Sequence, residues 1–147
     1  MSQGSPDPSR ITEIAEKAAL LGKTAAVPVI QSVLREQVVY LFQQYDPEKL
    51  RELIDVNYPL IRHELPDGYK NAIENVAPQF EDEIKSMTHP GQVLYWLEEP
   101  AEWMGSDADP ETVRQVRECY EIIESTPGGE RWVEQQVAEL WAIAGFV

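Results

Sequence analysis

Cysteine, histidine and lysine are all scarce in this chain, and each shortage removes a class of function. There is one cysteine, Cys119. It cannot close an internal disulfide, and alone it cannot build a zinc site. A chain without a disulfide framework suits a reducing compartment. The two histidines are His63 and His89. Three residues before them stand Leu60 and Ser86, so the Glu-x-x-His motif of di-iron bundles is missing. Lysine occurs at positions 17, 23, 49, 70 and 85, and Lys plus Arg total 12 with no basic cluster. Binding nucleic acid through its backbone needs a basic face, so that class is excluded. No apolar run approaches the roughly 18 residues of a membrane span, and AAVPVI is interrupted by Pro28. The opening MSQGSPDPSR carries no apolar core of a signal peptide. The expected setting is the cytoplasm, without membrane contact.

Acid, by contrast, is plentiful: 26 Asp plus Glu give a formal net charge of -14. Self-repulsion on that scale disfavours a compact state in dilute buffer. In molar salt the Debye length falls to about 3 Å and most of the penalty disappears. A halophile-like surface is therefore expected, and a melting midpoint that climbs with KCl is its measurable sign. The remaining composition is ordinary for a globular chain, at 43% hydrophobic with four Trp and six Tyr. A chain of 147 residues fits one domain, 1–147, large enough to hold a core without metal or disulfide. Residues 1–8 are expected to fray.

Apolar residues recur every three or four positions nearly throughout, which predicts helices. Ile11, Ile14, Ala15, Ala18 and Leu21 mark a first helix that Gly22 ends. This reading disposes of Gly22-Lys23-Thr24 as a phosphate loop, whose earlier glycine would stand where Lys17 is. A helix from Pro28 to Tyr45 is apolar nearly all round and so is expected at the centre. Asp46-Pro47-Glu48 and Asp109-Pro110-Glu111 open two more helices by one recipe, an Asp cap followed by Pro. LIRHEL is a short segment before the turn Pro66-Asp67-Gly68. Helical spacing then runs from Tyr69 to Met87, with a kink or break near Ala77 because of Pro78. A helix opens at His89-Pro90 and Pro100 ends it. PAEWMGSDADP reads as a loop. The last helix spans 129–144 and packs on helix 28–45, with Gly145 as its cap and Phe146-Val147 tucked back. The fold class is all-α, a single-domain irregular bundle of six to eight helices with no significant sheet.

Chemistry-bearing residues are few. Cys119 falls on an apolar helical stripe and reads as a packing thiol. His89 fits a helix start, and His63 reads as solvated. Tyr95, Trp96, Trp103 and Met104 cluster in YWLEEPAEWM, either as a lid over the core or as a groove for a partner or small ligand. Glu13/Glu16 with Glu52/Asp55 resemble the ExxE and ExxD pairs with which all-α nucleotide pyrophosphohydrolases hold Mg²⁺. That resemblance implies a metal-dependent enzyme with these four acids about one ion. VVYLFQQYDPEKLRELI, residues 38–54, looks like the first helices of the all-α chaperones that mature molybdoenzymes, which implies peptide binding. Glu99-Pro100 begins that family's Glu-Pro-x-Asp-His signature, which continues here as Ala101-Glu102-Trp103. The leading expectation is a non-enzymatic protein-binding or regulatory module without cofactor, acting on a protein partner or as a homodimer. The hydrolase and the chaperone are the alternatives.

Overall fold

The computed structural model describes residues 17, 20–64, 80–143, 145 and 146. The expected fraying of 1–8, the kink or break expected near Ala77, Glu13 and Glu16 lie outside them. Among the described residues the chain is all-α, with eight helices and no strand. These are α1 (Lys23–Gln43), α2 (Pro47–Asp55), α3 (Leu60–Glu64), α4 (Glu81–Met87), α5 (Pro90–Glu98), α6 (Pro100–Met104), α7 (Pro110–Ser125) and α8 (Gly129–Ile143). None is long and apolar enough to cross a membrane.

Local sequence explains most of the helix ends. The Asp46 and Asp109 side chains accept the backbone N–H of Lys49 and Thr112, and Pro follows each cap. Such caps contribute about 1 kcal/mol each. Helix α2 ends two residues ahead of Pro59, where Asn57 adopts φ 58°. The N–H groups of Asn57 and Tyr58 bond back to the Ile54 and Leu53 carbonyls, the paired closure of a Schellman motif. Helix α8 ends the same way: Gly145, at φ 87°, donates to Ala142, and Phe146 donates to Trp141. Phe146 is thereby buried, in keeping with the tucked-back terminus.

Three boundaries depart from the sequence reading. Helix α1 starts at Lys23, so Pro28 lies inside it. The Ala26 N–H already bonds the Gly22 carbonyl. Thr24, Ala25 and Pro28 are exposed, so water can serve the carbonyl that proline leaves without a donor. LIRHE forms a helical turn of its own, α3. PAEWM, read as loop, is helical as α6 because Pro100 sits at its first position. Leu21, expected on an inner stripe, is exposed. Gly22, at φ 85°, redirects the chain just before α1.

The core includes Leu34, Val38, Val39, Leu41 and Phe42 of α1, Leu50, Leu53 and Ile54 of α2, and Leu60 and Ile61 of α3. Val116, Cys119, Ile122 and Ile123 come from α7, and Trp132, Val133, Val137 and Leu140 from α8. Burying one such side chain contributes roughly 1.5–3 kcal/mol. The hub is α7 rather than α1. It packs on α1, α2, α5, α6 and α8. Helix α8 leans chiefly on α3, α5 and α7, and meets α1 through the Phe42 and Trp132 rings, 5.6 Å between centroids. The last helix thus does meet helix 28–45, at this ring contact. Helix α1 is too long for one neighbour to cover, so α4, α5 and α7 share it.

Candidate docking site

The chain reverses sharply between α5 and α6, with Glu99 the single residue separating them. His89 opens α5: its Nδ1 accepts the Gln92 N–H at 3.1 Å, the helix-start role expected of it. Helix α5 buries Val93, Trp96 and Leu97 and leaves Tyr95 outside, 41% exposed. Pro100 is buried and starts α6, which brings Trp103 back over α5. The Trp103 indole N–H donates to the Trp96 carbonyl at 2.8 Å. Arg117 Nη1 donates to the Glu98 carbonyl at 2.7 Å, so the carbonyl end of α5 is met by a cation, the favourable sense for a helix C-terminus.

The four residues singled out by the sequence therefore divide. Trp96 is a core residue, 1% exposed. Trp103 and Met104 are half-buried and pack against the core. Tyr95 stands out in solvent, its hydroxyl donating to Glu102 Oε1 at 3.3 Å. Partial desolvation, then the charges of Glu102, Glu99 and Glu98, hold the Tyr95 proton above the usual phenol value.

Beneath Trp103 lies a residue that no sequence motif marks. The Arg35 guanidinium of α1 sits over the indole, 4.7 Å from the ring centroid. Its Nε is buried and has no hydrogen-bond partner. Burial lowers the proton affinity of Arg35, and the neighbouring charge of Glu36 works against that. An arginine at a helical position gives no local signal of the tryptophan it will meet 68 residues later.

Elsewhere, a cleft of about 260 Å³ lies between the end of α1 and α7, lined by residues including Gln44, Tyr45, Arg114, Glu118 and Cys119. That is slightly below the usual span for small-molecule sites. The Cys119 thiol faces the Phe42 carbonyl at 3.8 Å. Burial, with a smaller push from Glu118, raises its pKa to about 12, so it is a packing thiol. Glu52 and Asp55 are exposed on α2, with Glu52 paired to Lys49 at 3.3 Å. Among the described residues no three His, Cys, Asp or Glu gather as a metal site. His63 is exposed, its ring 5.7 Å from that of Tyr58.

Compared with known protein families, with curated proteins and with solved structures, the chain matches none.

Proposed function

We propose that this chain is a non-enzymatic protein-binding or regulatory module of the cytoplasm, working on a protein partner or as a homodimer, with an acidic surface suited to high salt. One observation carries the reading. An exposed tyrosine stands in the same short stretch of chain as a half-buried tryptophan on which an arginine is stacked. These are the residue types that dominate binding energy at protein interfaces. Trp103 is tied to α5 by its bond to the Trp96 carbonyl, so it is preorganised and loses little freedom when covered.

The test is association in molar KCl. Sedimentation equilibrium follows the purified chain for self-association, and the immobilised chain is challenged with a lysate whose retained proteins are identified and re-expressed. A discrete dimer, or one purified partner binding directly, supports the reading. Tyr95→Ala should then weaken that association about ten-fold or more while leaving far-ultraviolet circular dichroism unchanged. A chain that stays monomeric and binds no purified partner overturns it.

A further inference from the structure

The described cations of this protein sort into three groups. Arg62, Arg114, Arg117, Lys49 and Lys85 each have a carboxylate within ion-pair distance, namely Glu139, Glu111, Glu121, Glu52 and Glu81. Lys17, Arg51 and Arg131 are exposed. Arg35 belongs to neither group. It is half-buried, one face covered by the Trp103 ring, and its Nε is out of water without an acceptor. Among the described side chains that Nε is the one buried polar atom left unsatisfied. Arg35 has no hydrogen bond, so its two terminal nitrogens, which are not buried, face water. In a chain with 26 acids and 12 basic residues, an internal carboxylate would have been the readiest hydrogen-bond partner, yet Glu36 acts on Arg35 through its charge alone.

We propose that Arg35, stacked on Trp103, is a recognition site for an Asp or Glu side chain presented by a protein partner. The proposal rests on reading the 95–104 corner as a docking surface and names the chemistry of what docks there. A guanidinium offers parallel N–H donors that match the two oxygens of a carboxylate. Stacking on the indole removes water from one face and fixes the fork, so less side-chain entropy is lost when an anion arrives. The charge of -14 repels an acidic partner at long range. Molar salt screens that repulsion over about 3 Å, while the close, partly desolvated pair is screened less. Association through this site should therefore survive or strengthen as salt rises, the opposite of what a basic partner would show.

The test uses the full chain in molar KCl and two probes, acetyl-Leu-Glu-Leu-amide and its Gln counterpart. Binding is read from the indole N–H resonance of Trp103, assigned by its loss in Trp103→Phe. The Glu peptide should bind about ten-fold more tightly than the Gln peptide. Arg35→Gln should abolish that preference, and Arg35→Lys should keep a weaker one. Equal binding of the two peptides, no shift with either, or a preference that persists in Arg35→Gln would each overturn the proposal. Melting curves of the variants confirm that they are folded. The two readings fail separately. A partner held equally by wild type and Arg35→Gln leaves the binding module standing and removes the carboxylate site. A Glu preference lost in Arg35→Gln, in a chain that neither dimerises nor binds a protein, does the reverse.

Discussion

Two tryptophans in this fold use the same device and end in different states. Each donates its indole N–H to a backbone carbonyl at a place where two short elements meet. Trp132 of α8 bonds the Tyr58 carbonyl at 2.9 Å, and Trp103 of α6 bonds the Trp96 carbonyl at 2.8 Å. Around Trp132 the neighbouring polar groups are answered too. Gln136 Oε1 accepts the Ile61 N–H at 3.0 Å, and its Nε2 donates to Tyr58 at 3.1 Å. Both side chains are 1% exposed, and Phe42 closes the ring contact. Around Trp103 the nearest cation has an unanswered Nε and water reaches the edge of the ring. One site is a fastening and the other is a surface. The distinction lies in whether the buried polar groups nearby are satisfied, since a stranded one costs far more than a made bond gains.

The contrast can be broken from the closed side first, where effects should be largest. Cys119 points at the carbonyl of Phe42 and so reports on that side. With its pKa pushed from an ordinary 9 to about 12, its thiolate at pH 8 is scarcer by about a thousand-fold in the folded chain. Reaction with an aromatic disulfide should be slower by at least that factor than in urea-unfolded protein. The sign for stability follows. The folded state holds this proton more tightly, so stability is intact below pH 9 and falls as pH climbs toward 12. Urea unfolding across that range measures it.

Trp132→Ala comes next, with an expected loss of about 3–5 kcal/mol in urea unfolding, because it empties a filled site and strands part of the polar knot. Trp103→Ala at the open corner should cost well under half as much, since that ring is half in water already. Equal losses would erase the distinction between the two sites. Gln136→Ala should cost about 2 kcal/mol, mostly for leaving the Ile61 N–H buried without an acceptor. The smallest effect belongs to Arg35→Gln, below about 1 kcal/mol, the usual worth of an exposed cation–aromatic contact. A loss of several kcal/mol there would make Arg35 a structural staple.

How far the sequence could be read is itself instructive at particular residues. Asp46-Pro47 and Asp109-Pro110 announced α2 and α7 because a cap acts within three residues of itself. Gly145 and Phe146 announced the end of α8 for the same reason. Pro28 misled: proline is at home in a first turn, but it is tolerated deeper in a helix wherever water can take over the lost bond. Pro100 misled in the other direction. It ended one helix and also began another, turning an apparent loop into α6. Of the four candidate site residues, Tyr95 and Trp96 are adjacent on a helix and so must face different ways, yet periodicity does not say which of them points inward. Arg35 was invisible, since nothing in its own neighbourhood foretells Trp103.

The sequence by itself determined that this chain is helical, where several of its helices begin, and that it carries a large net negative charge, because capping, apolar spacing and charge are read along the chain. Tertiary structure decided that α7 is the hub, that Trp132 is locked while Trp103 lies at the rim, and that Arg35 rests on the Trp103 ring. Those outcomes depend on which surfaces meet across many residues of separation. A hydrogen bond or a ring contact is worth most where water is excluded, and only the packed molecule fixes where that is.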